Sequence, residues 1–534
     1  MLCNRSYIGM LFILTIFTGL AEAAPASVTI VNDANQSVIR QTNLPNDSIL
    51  NLTFKSDIDG SIQPMLVKVP KGYSPKKAWP LLVTLHGLGD GPILATEVDS
   101  MVQIGPYGRG SVWYSGIGER DVFECIEVAK KIFSIDMDRV YLCGFSMGGA
   151  GVFDLGLKYP DFWTACVPVC GRCQDATLVE NGRRLPFWIN TGKLDTMVPP
   201  QYSKKAYDKA RELGFTEWKY TEYENMGHGF SIDWKQIENW LLTKKRGANP
   251  KRISYCTKEL NRVYWVEITD VEEYGKIARI DVVIENQKIN IKTDNISNYT
   301  LRLNNNLVDL SKEIQIIENG VSVFAGFLSK DGCFVKVNRN NDTIFKHPGL
   351  SGPLWDVYSS SAILVYGTNS KNELLIQAAR NCAESFCNPR WMDKVDFQII
   401  PDTTVSESDV SKNNLVLFGN TETNKILADI SDKLPIKMNS NEITAKGVSY
   451  SGDNIGYVLI YPNPLNSKKY VVVFSGNSPD AINCFDRIWP RFGSIPKSID
   501  FGVFEIVSGS NSVVWRLEGV FGTDWNWQDF RADH

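Results

Sequence analysis

Three residues of this chain, Ser146, Asp195 and His228, have the types and the order that covalent catalysis requires. A serine hydroxyl becomes a usable nucleophile only when a base takes its proton, and an imidazole serves as that base only when an acid fixes its tautomer. Ser146 is the centre of Gly144-Phe-Ser-Met-Gly148, with a further glycine at 149. In a G-x-S-x-G string the serine stands on a sharp, strained turn between a strand and a helix, and the glycines clear space where the backbone reverses. The flanks suit that turn: Val140-Tyr-Leu-Cys143 reads as a strand, and Gly148 to Tyr159 as a helix stopped by Pro160. Asp195 closes the run Thr-Gly-Lys-Leu-Asp just past the strand Pro186 to Asn190. His228 lies in the loop 224–230, after the strand Trp218 to Tyr223. The intervals are 49 residues from Ser146 to Asp195 and 33 from there to His228, room for one or two strand–helix units each. The three side chains are thus expected at one edge of a sheet. Ser146 Oγ would attack a carbonyl, His228 would take and return the proton, and Asp195 would orient the imidazole and stabilise its charged form.

The alternatives are few. Of the four histidines, His86 precedes the serine, His347 sits in a distant Lys-His-Pro-Gly loop and His534 is the last residue of the sequence. Asp154, Asp161 and Asp175 also lie between serine and histidine. Asp154, however, falls inside the helix after the serine, and the other two do not directly follow a strand. The charge that develops on the attacked carbonyl needs two N–H donors. One is the backbone N–H of Met147, the residue after the nucleophile. The other is expected from the loop His86-Gly-Leu-Gly-Asp-Gly91 after the strand Pro80 to Leu85, with Leu88 the first choice and Gly89 the second. His86 is read as structural, packing beneath that loop.

These residues need a scaffold of alternating strands and helices, and the sequence supplies one. Runs at 28–31 and 50–54 are strand-like, Ile62 to Val69 and Pro80 to Leu85 open a sheet, and alternation continues to Leu242, where the helix Ser231 to Leu242 closes the unit. Residues 24–245 therefore read as an α/β catalytic domain, followed by a charged, breaker-rich linker at 244–252. From 253 to 345 short β-branched strands (263–268, 278–284, 289–291, 321–324) alternate with Asn- and Asp-rich turns, the pattern of a small all-β, sandwich-like module. Tyr264 and Trp265 belong to its core or to a sugar-binding face. From 350 to 534 α/β alternation returns, with strands at 362–367, 395–400, 415–419, 456–461 and 470–475 and a helix at 371–382. That is a second, smaller open sheet. Gly367 and Gly419 end strands ahead of helices, but no G-x-G-x-x-G is present, so dinucleotide binding is not supported. The tail is rich in tryptophan (Trp515, Trp525, Trp527) and is expected to dock on a neighbouring domain.

A chain of 534 residues with 43% hydrophobic and 22% charged residues is ordinary globular protein, and a net charge of −4 argues against a nucleic-acid partner. Arg5, the apolar run Ile8 to Leu20 and Ala21-Glu-Ala23 form a signal peptide at 1–23, too short in its apolar core to span a bilayer. The expected location is exported, periplasmic or extracellular, with no membrane anchor. In that compartment cysteines can oxidise. Cys170-Gly-Arg-Cys173 reads as a loop-stiffening disulfide, Cys382 and Cys387 as a second short bridge, and Cys143 as a buried thiol. No set of metal ligands accompanies them.

The stretch from Leu85 to Phe230 resembles the exported α/β-hydrolases that include polyhydroxybutyrate depolymerase-like and feruloyl-esterase-like proteins. It is also similar to "predicted peptidases" related to prolyl oligopeptidase. The residues that carry the likeness are Leu85-His-Gly-Leu-Gly, Pro106-Tyr-Gly-Arg-Gly110, Glu119-Arg-Asp-Val122, Asp138-Arg-Val-Tyr-Leu142, Gly144-Phe-Ser-Met-Gly-Gly149, Asp195 and Gly227-His-Gly229. The resemblance implies a serine hydrolase cleaving carboxylic esters of acylated polysaccharides or polyesters. Its acyl-enzyme chemistry uses no metal or cofactor. A serine peptidase is the enzymatic alternative, and a binding protein on a hydrolase scaffold the non-enzymatic one. No propeller precedes the hydrolase unit, unlike prolyl oligopeptidase. Arg109 and Trp113 either line the acyl or leaving-group pocket or pack their own loop.

Overall fold

The computed structural model describes residues 26–29, 47–338, 343–347, 349–439, 441–489, 498–507 and 512–528. The segment read as a signal peptide and His534 lie outside these residues.

The first unit is built on one nine-stranded sheet. In chain order its elements are β1 (Ala26–Thr29), β2 (Ser48–Lys55), β3 (Ile62–Val69), β4 (Trp79–Leu85), β5 (Val102–Pro106), α1 (Ile117–Ile132), β6 (Ile135–Phe145) and α2 (Met147–Lys158). There follow β7 (Ala165–Val169), β8 (Phe187–Gly192), α3 (Gln201–Glu212), β9 (Trp218–Tyr223) and α4 (Trp234–Leu242). The spatial order is β1-β2-β3-β5-β4-β6-β7-β8-β9. β3 pairs antiparallel with β2 and β5, whereas β5-β4-β6-β7-β8-β9 are all parallel. Parallel strands need crossover helices on both faces, so their residues are buried on both sides. β4 shows this, since all seven of its residues are buried. Leu81, Val83 and Leu85 pack with α1 and α2, while Leu82 turns to the opposite face with Ile237, Trp240 and Leu241 of α4. Parallel pairing also brings every strand's C-terminal end to one edge, where α/β sheets hold their sites. The topology is that of an α/β-hydrolase domain, as the sequence pattern implies.

The second unit is a sandwich of a five-stranded and a four-stranded sheet that share one core. Tyr264 and Trp265 do not lie in a continuous strand. Val263 pairs antiparallel with Val266, and Tyr264 takes a left-handed φ of 52°, so the two aromatics form a tight hairpin turn. Trp265 is 1% exposed and its Nε1 donates to the Pro250 carbonyl at 2.8 Å, which makes it core rather than sugar platform. The unit is fastened to the hydrolase domain by Asn181, which exchanges two 2.8 Å hydrogen bonds with the Cys256 backbone, and by the Arg279–Glu180 ion pair.

The third unit carries a seven-stranded sheet. The strands 398–401, 362–366, 414–418 and 466–476 run parallel, and the strands 455–463, 501–506 and 513–519 complete the sheet antiparallel. The tryptophan-rich tail packs mainly on this same unit. Val513–Gly519 is its edge strand, and Trp525 and Trp527 lie against Phe521. The expected bridges are absent too. Cys382 and Cys387 sit five residues apart on one helix, Glu373–Cys387, a spacing that points them to different faces. The Cys387 thiol faces the Phe397 carbonyl, while Cys382 lies within hydrogen-bonding reach of Cys484. Cys143 is buried against Thr84, as expected for a core thiol.

Candidate active site

β6 runs directly into α2, and Ser146 between them takes φ 56°, ψ −114°, a conformation that L-residues avoid and that aims the side chain out of the turn. The glycines show what this geometry costs in space. A Cβ on Gly144 would come within 2.5 Å of the Gly148 carbonyl, and one on Gly148 within 2.2 Å of the Leu85 carbonyl. A Cβ on Gly149 would collide with the Val169 carbonyl and with Gly171.

The histidine and the acid arrive on two loops tied to each other. Lys193 N–H donates to the Tyr223 carbonyl at 3.0 Å and Leu194 N–H to the Met226 carbonyl at 2.9 Å. Gly192 lets the two backbones meet, because a Cβ there would lie 2.2 Å from the Gly227 carbonyl. His228 Nε2 then stands 2.9 Å from Ser146 Oγ, and His228 Nδ1 2.8 Å from Asp195 Oδ2. The other Asp195 oxygen accepts the backbone N–H groups of Met197 and Val198 at 2.9 and 2.8 Å. The carboxylate side chain is fully buried while His228 keeps 15% of its side chain exposed, so the pair is held from behind and open in front. The structure thus brings together the three residues that the sequence singles out.

The loop after β4 lies beside the serine, a Cβ on Gly87 falling 3.7 Å from Ser146 Cβ. His86 is fully buried, its two ring nitrogens 2.7 Å from the Gly87 and Tyr107 carbonyls, the structural role expected of it. Gly89 N–H already donates to Ser111 Oγ at 3.0 Å, which favours Leu88 over Gly89 as the second oxyanion donor. Met147 N–H is the first of α2, one of the N-terminal donors that a helix leaves without a helical acceptor.

Two expectations fail. Arg109 does not line a pocket. It is 0% exposed, and its guanidinium makes a bidentate pair with Asp59 at 3.0 and 3.1 Å, bonds Ser61 Oγ at 3.0 Å and faces Asp121 at 3.7 Å. Burial raises the Asp121 carboxyl to about 7, against the pull of Arg109 and the Gly108 N–H. The same Arg109 loop is clamped by the third unit: Ser111 N–H donates to the Trp391 carbonyl and Asp393 N–H to the Arg109 carbonyl, at 2.8 and 3.0 Å. Nor do Cys170 and Cys173 form a disulfide. Both are free thiols with different neighbours, Cys173 facing the Asp175 carbonyl and Cys170 facing Asp195.

Cys170, a cysteine at the end of β7, is a site neighbour that the sequence reading assigned elsewhere. Its Sγ lies within 4.8 Å of a ligand atom on each of Asp195 and His228. Its only signal was position, directly after a strand on the catalytic edge. Trp113 is half-buried on the 107–116 loop, and Arg172 stacks on its ring with the guanidinium carbon 4.6 Å from the centroid. Asp154 is half-buried on α2, and burial pushes its carboxyl to about 7, partly offset by Arg172 and Lys158. The folded carboxyl holds its proton to a higher pH than the unfolded one. The stability this gives is complete below the ordinary carboxylate range and is lost as pH rises through about 7. Asp154→Asn cannot ionise, so its melting temperature should fall less than that of the wild type between about pH 5 and about pH 8, as a calorimetric pH series would show. A parallel fall in both proteins would contradict the assignment.

No family model matches the chain. Over 127 residues it is 27% identical to acyl-protein thioesterase 1 of Emericella nidulans, a match covering 22% of this chain and 52% of that one. The chain thus spans about half the length of this curated relative. A thermostable esterase of known structure is similar at 25% identity, covering 37% of this chain and 63% of that one, with a TM-score of 0.32. A ferulic acid esterase from the anaerobic fungus Anaeromyces mucronatus is similar at 19% identity, covering 37% of this chain and 90% of that one, with a TM-score of 0.29. Among the described residues, no helix is long and apolar enough to cross a membrane.

Proposed function

We propose that the protein is an exported serine hydrolase that cleaves carboxylic esters borne on polysaccharides or polyesters. The observation that carries the catalytic reading is the hydrogen-bonded line from Ser146 Oγ through both nitrogens of His228 to the buried Asp195. His228 Nε2 takes the proton as Ser146 Oγ adds to the ester carbonyl, and Asp195 stabilises the imidazolium that results. Negative charge on the former carbonyl oxygen is met by the N–H groups of Met147 and Leu88, the first of them at the positive end of α2. His228 returns the proton to the departing alcohol, and water repeats the sequence on the acyl-enzyme. The apolar stretch before residue 24 supports export.

The test sets acetyl, butyryl and feruloyl esters against proline-containing peptide amides. Esters are expected to be cleaved with kcat/KM greater by about tenfold or more, roughly 1.4 kcal/mol of transition-state preference. Faster cleavage of the amides would make the protein a peptidase.

A further inference from the structure

Among the described residues Arg172 has no carboxylate within ion-pair distance, and it lies on the segment that packs against the start of α2 behind Ser146. It follows Gly171, whose backbone packs directly on Gly149, three residues past Ser146. It also follows Cys170, whose side chain faces Asp195. Trp113 comes from the loop on the other side of the serine: Ser111 of that loop accepts the Gly89 N–H, and Tyr114 donates to the His86 carbonyl at 3.2 Å. Arg172 and Trp113 meet in a stack at 4.6 Å.

Two donors in this stack lack acceptors. Trp113 Nε1 and Arg172 Nε are both shielded from solvent and have no hydrogen-bond partner. Arg172 also has no carboxylate within ion-pair distance among the described residues, unlike Arg109, which holds Asp59 in a fork. Asp154, on whose carboxyl Arg172 exerts the largest pull of any charge, is itself held toward its neutral form by burial. A planar guanidinium backed by an aromatic face, with donors to spare, suits a carboxylate: the fork matches its two oxygens, and the stack fixes the plane.

We propose that Arg172 and Trp113 form an anion subsite beside Ser146, taking a carboxylate carried by the ester substrate on its acyl or its alcohol side. The inference rests on the esterase reading and narrows its substrate class to acidic esters, such as those of dicarboxylic acids or acid-bearing phenols and sugars. Arg172, which is half-buried, would hold the carboxylate and the Trp113 ring would fix the plane of the guanidinium, so ester and nucleophile are brought into register by binding away from the reacting carbon.

The test compares size-matched ester pairs that differ only in charge. On the acyl side these are p-nitrophenyl hemiglutarate and p-nitrophenyl pentanoate. On the alcohol side they are para-acetoxybenzoate and para-acetoxybenzamide. In Arg172→Gln the ratio of kcat/KM for the acidic ester to that for its neutral partner should fall about tenfold or more for one of the pairs, the scale of a charge-assisted hydrogen bond. Trp113→Phe keeps a stacked ring and removes only a shielded N–H, so its ratio should stay near the wild-type value, whereas Trp113→Ala, which removes the stack, should lower it about threefold. Arg172→Lys, which keeps the charge but not the fork, should lie between wild type and Arg172→Gln. An equal loss on acidic and neutral esters, or an unchanged ratio in both pairs, overturns the subsite. Calorimetric titration of glutarate and of benzoate into the wild type and Arg172→Gln gives a readout independent of turnover. Weaker binding to the variant supports the subsite and equal binding overturns it. Absence of any ester hydrolysis by the wild type overturns the esterase reading instead, and leaves the titration to decide the subsite.

Discussion

Ser146→Ala should lower kcat toward esters to about a millionth of the wild-type value, the scale on which removing one member of a serine triad disables the whole unit. What remains would come from Met147 and Leu88 as oxyanion donors and from binding. Among the described residues the Ser146 hydroxyl bonds His228, a surface-facing contact of the catalytic edge rather than of the core, so the variant should fold and melt close to the wild type. A fluorophosphonate probe, which forms its bond to an activated serine oxygen, should label the wild type once and leave Ser146→Ala unlabelled. Asp195→Asn supplies the graded control. It keeps the shape of the acid, but its amide can present N–H to His228 Nδ1 and so favour the wrong tautomer, for an expected loss of about ten-thousandfold. Persistent ester hydrolysis by Ser146→Ala, or labelling of that variant, would remove Ser146 from the mechanism.

The triad was legible because the steric rules that place it are local. Gly144, Gly148 and Gly149 announce a backbone reversal with no room for a Cβ, and the close approaches to Leu85, Val169 and Gly171 are the reason. Asp195 and His228 could be placed from strand ends alone, because the parallel pairing of β5-β4-β6-β7-β8-β9 points the C-termini of these six strands at one edge. β3 and β9 begin and end where the hydrophobic pattern puts them, at 62–69 and 218–223. Other features depend on contacts between residues far apart in sequence. The Cys170-Gly-Arg-Cys173 spacing suits a bridge, yet one thiol is claimed by Asp195, twenty-five residues on. Tyr264 and Trp265 sit in a β-branched run that reads as one strand until the hairpin turns. No periodicity signals that residues 391–393 of the third unit will clamp the loop at 109–111. Nor does an arginine in a polar loop, Gly-Arg-Gly, reveal whether it meets substrate or a carboxylate fifty residues earlier, because both readings demand the same side chain.

Arg109→Met should therefore act on stability and not on substrate binding. The guanidinium is the shared counter-charge of Asp59 and Asp121, both fully buried in their side chains. Burial alone would raise the Asp59 carboxyl, but the Arg109 pair overrides it and holds the carboxyl below its ordinary value, so Asp59 is buried as an anion. Removing one partner of a buried pair typically costs about 3–5 kcal/mol, because the remaining charge has no compensation. Here the loss should spread. Asp59 Oδ2 also accepts the Asp396 N–H, and the Arg109 carbonyl accepts the Asp393 N–H, so the pair stands at the seam between the hydrolase sheet and the third unit. Urea unfolding of Arg109→Met should begin at lower denaturant than for the wild type, with the third unit's fluorescence changing in the same transition. Combining it with Asp59→Asn should recover part of the loss, since the buried anion is gone, and a double-mutant cycle measures how much. Arg109→Lys should not substitute, because an ammonium lacks the planar fork whose two Nη atoms meet the two Asp59 oxygens side by side. For the fraction that stays folded, KM toward small esters should match the wild type. A raised KM with unchanged stability would return Arg109 to the substrate pocket.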